Sequence, residues 1–386
     1  MHADSGRNQT RQLIAALAGI SVFGLSFGLL YPLMALNLEG RGFSASYIGI
    51  IAAMQPLGLV MSNFLLPTVV ARTGVGGLLK ICIGAISLVF AVYPFLPPTP
   101  CWFLLRFVHG ALASSIYVVS EAIIVRLSVG ERATRVLALY TAVMQTTFGI
   151  GPLILLLTGV DGPAGFLTGA ILTIVGGLIM ILGGAGKVEL YDEGERKPFL
   201  SVLWQIKFLL AGYAVFAFAD AVTADLLPVY GKLLDFSTTR AALLLTAFLF
   251  GSTILQIPLS FLFSKVDETY QLPLNVSGVA LSFLALVFTW DTALVWPVIA
   301  IAGALTSSIN TISLTQVGRY VAARDLVAGT ASLTTSWGVI YLIATPIAGI
   351  GMDSAGPQAL PYSVVIFGLL SLAVLLIGSR RRTRRL

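Results

Sequence analysis

Of the 386 residues, 57% are hydrophobic and 10% are charged, with a formal net charge of +6. Soluble domains carry about 25% charged residues. Too few charges remain to cover a water-facing surface, which excludes a large soluble core and leaves lipid as the main surroundings.

The first ten residues, Met1 to Thr10, are polar and lack the pattern of a cleaved signal peptide. The first apolar stretch is therefore expected to stay as an anchor. A spanning helix needs about 20 mostly apolar residues. Gly, Pro and charge clusters cut the chain into twelve such stretches, at 11–36, 44–71, 75–96, 101–126, 134–158 and 164–185, then 201–227, 238–264, 272–290, 294–319, 326–350 and 361–379. Between the sixth and seventh lies the longest polar segment, with Glu189, Asp192, Glu193, Glu195, Arg196 and Lys197. The predicted architecture is all-α and polytopic: a six-helix bundle over 1–186, a linker over 187–200, and a second six-helix bundle with a basic tail over 201–386.

The two halves repeat each other. Gly110-Ala-Leu-Ala-Ser-Ser-Ile116 returns as Gly303-Ala-Leu-Thr-Ser-Ser-Ile309, an offset of 193, half the chain. The same offset carries Phe43-Ser44 onto Phe236-Ser237 and Arg126 onto Arg319. A duplicated half in so apolar a chain points to a transporter.

Orientation follows from Lys and Arg placement. With twelve spans both termini share one side. Nineteen of the 23 Lys and Arg residues fall on that side, against Arg41, Lys232 and Arg240 on the other. Both termini are expected in the cytoplasm. The five arginines from Arg380 to Arg385 suit anionic lipid head groups, and also serve simply as a topology anchor. The only cysteines are Cys82 and Cys101, and His109 is the only histidine within a span. Neither a disulfide framework nor a metal site is expected. No cofactor is implied, no nucleotide-binding loop of a self-powered pump occurs, and no nucleic-acid signature is present.

Twelve stretches in two homologous halves with a charged central loop resemble the major facilitator superfamily. The best local match is Arg106-Phe-Val-His109-Gly110-Ala-Leu-Ala113, similar to the superfamily's Arg-x-x-Gln-Gly-x-x-x-Ala pattern with His109 in the Gln place. Its continuation, Val118-Val119-Ser120-Glu121, is similar to the YcaD-like branch of bacterial facilitators. Other signatures depart. The loop after the second stretch offers Pro67, Ala71, Arg72, Gly74, Gly76 and Gly77 without the family's acidic residue and trailing basic pair. The second-half copy has Ser264 and Asp267 in altered places. In the fifth stretch, Gly149-x-Gly151-Pro152 is followed by Leu155 and Leu156, where antiporters have glycines.

A charge inside the bilayer costs roughly 2.5–3.5 kcal/mol on insertion scales. Arg106, Glu121, Asp220 and Asp225 lie within predicted spans. At about 100° per residue, Arg106, Gly110, Ala113, Tyr117, Ser120, Glu121 and Ile124 form one stripe, expected to face a cavity. The resemblance implies the same, since the first, fourth, seventh and tenth helices line the facilitator cavity. Glu121 is the candidate proton site, with Arg106 and His109 as partners in coupling; His109 equally suits a packing role. Arg106 and Glu121 are about 22 Å apart along a helix and cannot pair. Asp220 is the candidate to attract a cation, with Tyr117, Asn310 and Thr311 as further substrate contacts. Asp225, five residues from Asp220 and about 140° round the helix, is expected to cap the outer end beside Pro228. Tyr31, Trp337 and Tyr341 are aromatic candidates for cavity walls.

The expected function is secondary active transport of a small molecule by alternating access, driven by protons, with export of a cationic or amphipathic compound favoured. Proton-coupled uptake of an organic anion or neutral metabolite, anchored by Arg106, is the alternative. A third reading is a facilitator-like sensor or assembly factor that does not transport. The expected setting is a prokaryotic inner membrane, with lipids, protons and a small-molecule substrate as partners and the chain as a monomer.

Overall fold

A computed structural model describes residues 2–98, 100–127, 133–187, 203–263, 265–321 and 326–383. The central linker predicted over 187–200 lies outside them apart from Lys187, as do the last three residues of the tail. All regular elements among the described residues are helical. Twelve helices are long and apolar enough to cross a membrane: α1 (Gln9–Gly40), α2 (Ala45–Ser62), α3 (Thr68–Phe95), α4 (Pro100–Ile124), α5 (Leu139–Thr158), α6 (Ala164–Leu182), α7 (Lys207–Leu233), α8 (Thr238–Phe263), α9 (Glu268–Thr289), α10 (Val295–Val317), α11 (Ser332–Ala355) and α12 (Ala359–Ile377). The helical run from Ala45 to Val92 is interrupted at Gly74, near the start of α3, where φ 65° with ψ 167° suits only a residue without a Cβ.

The seventh helix runs further than predicted. Pro228 sits inside it, and helix continues to Leu233. A proline inside a helix removes one backbone hydrogen bond without ending the helix where neighbours hold it. The chain turns only at Asp235, in the left-handed region with φ 61°. Asp tolerates that conformation better than most residues.

The chain divides into two compact units. One is Met1–Arg41 with Met54–Asp192, and the other is Gly42–Ala53 with Glu193–Leu386. The first part of α2 thus belongs with the second unit, while the rest of α2 belongs with the first.

Within each unit the repeat is visible in atomic detail. A Cβ on Gly110 would overlap the carbonyl of Gln55, and one on Gly303 would overlap that of Phe248. Reciprocally, Gly58 lies on the Phe107 carbonyl and Gly251 on the Ala300 carbonyl. Each pair is related by the same offset of 193. Two glycines per crossing let α2 meet α4, and α8 meet α10, backbone to backbone. Ser115 and Ser308, also related by the offset, both donate to the carbonyl four residues earlier, at 3.3 and 2.8 Å. Ser44 and Ser237 cap the helices that follow them, accepting from the amides of Tyr47 and Arg240, each at 3.3 Å.

The two halves also differ. Gly251–Leu255 in α8 forms a π-turn, whereas the matching residues of α2 are ordinary α-helix. Asp267 caps α9 by accepting from the Thr269 amide at 2.9 Å, a bond that holds its carboxyl below the ordinary value. A lowered folded-state value makes this contribution present above the unfolded carboxyl pKa and lost as pH falls through the folded one.

The crossings set a stability expectation. Gly303→Val should lower the thermal midpoint of the purified protein, by an overpacking cost of about 1–3 kcal/mol or more. Gly84→Ala, where a Cβ meets nothing within 4 Å, should not lower it. Equal midpoints for the parent and Gly303→Val would contradict the close crossing.

Candidate functional site

In the second unit, α7 and α11 carry the acidic and aromatic candidates. Asp220 is half-buried, and its Oδ2 accepts from the indole Nε1 of Trp337 at 3.0 Å. Asp225 is 2% exposed, and its Oδ2 accepts from the hydroxyl of Tyr341. Trp337 and Tyr341 stand one turn apart on α11, with ring centroids 5.0 Å apart in an edge-to-face arrangement. Both carboxylates therefore turn towards the same helix, although their spacing on α7 set them about 140° apart. They flank the α7–α11 contact, and each side chain reaches across it. Asp225 is no outer-end cap: α7 continues past it, and neighbours cover it. On the same helix, Thr223 donates to the carbonyls of Ala219 and Asp220 at 2.7 and 3.1 Å.

Asn310 and Thr311 lie on α10, half-buried and exposed respectively. Gln256, in the first turn after the π-turn of α8, donates to the Thr311 hydroxyl at 2.5 Å. It also reaches the Ser307 carbonyl at 3.5 Å. Gln256 was not among the residues singled out from sequence. Its signal is the π-turn, a feature that often marks functional positions and that composition does not reveal.

In the first unit, the three residues expected to couple protons fall into two places. Arg106 is 1% exposed, with its guanidinium 4.8 Å from the ring centre of Tyr31 and Nη1 3.3 Å from the sulfur of Met34. His109 is fully buried, its ring 5.5 Å from those of both Phe27 and Phe90. Neither of its nitrogens has a hydrogen-bond partner among the described residues. An imidazole in that position is held by ring edges, as a packing residue would be. Glu121 is twelve residues on from His109, about 18 Å along the helix. It is exposed, and accepts from the Tyr117 hydroxyl at 3.3 Å. Tyr117 in turn packs on Phe23 at 5.0 Å.

The polar stripe of α4 is thus largely covered by neighbouring helices. Arg106 meets α1, Gly110 meets α2, and Ser120 lies where a Cβ on Gly19 of α1 would be. Tyr117 and Glu121 form the part that remains open. Among the described residues, no group of three or more His, Cys, Asp or Glu is placed to hold a metal ion.

The Asp225–Tyr341 bond is open to measurement. Tyr341→Phe should destabilise the protein by about 1–3 kcal/mol, because it leaves a buried carboxylate short of a donor. In a double-mutant cycle with Asp225→Asn, the two losses should fall short of additivity. Additive losses would mean that the contact carries no energy.

Comparison with known proteins bears on the family and the fold. The family model described as Major Facilitator Superfamily matches in two overlapping stretches, residues 16–336 and 209–386. A curated relative, described as an uncharacterized MFS-type transporter YfkF from Bacillus subtilis (strain 168), is 24% identical over 278 residues, covering 70% of each chain. Among solved structures, the nucleoside transporter NupG is similar with a TM-score of 0.71 at 13% identity, covering 96% of this chain and 98% of that one. A bacterial homolog of the human lysosomal transporter Spinster, in an inward-facing and unoccupied conformation, is similar with a TM-score of 0.73 at 13% identity, covering 97% of each.

Proposed function

This chain belongs to the Major Facilitator Superfamily, and from that membership we propose that it is a proton-coupled secondary transporter that exports a cationic or amphipathic compound by alternating access. It is a multi-pass membrane transporter and not an enzyme. One observation carries the finer reading. Asp220, within a membrane span, is bonded by the neutral indole of Trp337. A neutral donor orients a carboxylate without cancelling its charge. A carboxylate held there is costly unless water or a cation meets it. The faces of Trp337 and Tyr341 add the ring quadrupole that attracts organic cations. Asn310 and Thr311 on α10 supply neutral hydrogen-bonding groups to the same substrate.

Proton coupling rests on Glu121. Its carboxyl is exposed within a span, and its bonded partner Tyr117 is also neutral. An acid there can load and release a proton without first breaking an ion pair. Arg106 and His109 then act on it only at a distance. The burial of Arg106 against Tyr31 and Met34 weighs against uptake anchored on that guanidinium. A monomer in a prokaryotic inner membrane, with both termini cytoplasmic, completes the proposal, and the excess of Lys and Arg on the side of the termini supports it.

Two substitutions test the halves of this proposal separately. Asp220→Asn should weaken binding of cationic amphipathic dyes by roughly ten- to a hundredfold, the cost of one charge-assisted bond, and barely change binding of neutral analogues. Fluorescence titration of the purified protein reads this, and equal losses for both dye classes would make Asp220 a packing residue. Glu121→Gln should abolish dye accumulation driven by a pH gradient in inverted vesicles while sparing exchange without net proton movement. Accumulation at the parent rate would remove Glu121 from coupling.

A further inference from the structure

The first turn of α2 is tied down in a way that helix capping alone does not require. A helix starts with four amides that lack intrahelical partners. In α2, the Ser44 hydroxyl serves one of them, accepting from the Tyr47 amide at 3.3 Å, and the ordinary helical ladder begins where Ile48 donates to the Ser44 carbonyl at 3.1 Å. Two more go to the far end of α11. Asp353 accepts from the amide of Ala45 through Oδ1 and from that of Ser46 through Oδ2, each at 2.9 Å. The Ser46 hydroxyl donates to the same Oδ2. A carboxylate on the positive end of a helix is also favoured by the helix dipole. Beside this bond, the two helices meet backbone to backbone. Gly49 lies on the Thr345 carbonyl and Gly349 on the Ala45 carbonyl.

Two facts make this contact more than a cap. The segment it holds, Gly42–Ala53, clusters with the second unit, while the rest of α2 clusters with the first. The arrangement also occurs once in a duplicated chain. At the offset of 193, Asp353 corresponds to Val160, Gly349 to Leu156 and Gly49 to Ala242. The second copy has neither the carboxylate nor the glycines.

We infer that Asp353 is a one-sided latch: its carboxylate clamps the first turn of α2 to the end of α11, and its release frees residues 42–53 from the second unit. The latch holds by charge-assisted bonds to amides and a hydroxyl, with no basic side chain needed. Such bonds are roughly twice as strong as neutral ones, yet they can be broken and remade without burying an unpaired counter-charge.

Cysteine labelling in whole cells tests this. Cys82 and Cys101 are first replaced by serine, and Ile48, 3% exposed in the held segment, is changed to Cys. A membrane-impermeant maleimide should label it slowly. Asp353→Asn should raise the labelling rate at least about tenfold, and Ser46→Ala, which removes one bond of three, should raise it by less. A second reporter, Ala302→Cys in α10, is 2% exposed and remote in sequence from the latch. Its rate should not change. No rise at Ile48→Cys with either variant would overturn the latch, as would equal rises at both reporters, which would mean general loosening. The choice of intact cells rests on the proposed orientation, which Asp161→Cys, in an exposed turn, checks independently. If Asp161→Cys labels only in inverted vesicles, the orientation fails, and the latch is then tested from that side by the same comparison.

Discussion

Helices in a bilayer gain nothing by hiding apolar surface from one another, because lipid tails are as apolar as leucine. What holds them is close contact, and the closest contact available is backbone on backbone. This chain meets that constraint with paired glycines. Gly58 with Gly110, and Gly251 with Gly303, bring α2 onto α4 and α8 onto α10. Such contacts cost no side-chain entropy, since glycine has no rotamers to lose. Arg106 stands one turn from Gly110 on α4, next to one of these crossings.

With the crossings made by residues that have no side chain, chemistry is left to a few others. α7 and α11 hold two carboxylates by aromatic donors, and α4 offers an acid beside a tyrosine. In each case the donor is neutral. Such donors orient a carboxylate by direction and not by opposite charge.

Much of the fold was legible from residues alone. Spans could be counted because spanning needs a minimum apolar length, and the duplication could be seen because Gly110 and Gly303 sit in matching strings. Gly110, by contrast, was read as part of a cavity-facing stripe, and its close approach to the Gln55 carbonyl appears only in the structure. What could not be read is which way each helix turns. Periodicity identifies a buried face only when the opposite face is polar, and here lipid takes that side. Asp225 accordingly looked like an end cap, because Pro228 suggests a helix end when neighbours that tolerate it are invisible. The aromatic partners of Asp220 and Asp225 lie more than a hundred residues away on α11, so no local pattern could couple them. Asp353 gave no signal either, being one acid near a helix end with its partners some 307 residues off.

The π-turn of α8 has a consequence for the symmetry of the molecule. A turn that holds one residue more than an α-turn rotates everything after it by roughly 100° about the helix axis. The repeat keeps its count across Gly251–Leu255, since the offset of 193 holds for glycines on either side of the crossing. Its phase is another matter: beyond Leu255 the residues of α8 are turned away from the places that an unbroken α-helix would give them. Identical substitutions at matched positions there are therefore not equivalent experiments, and a repeat still legible as a string has already been broken as a surface.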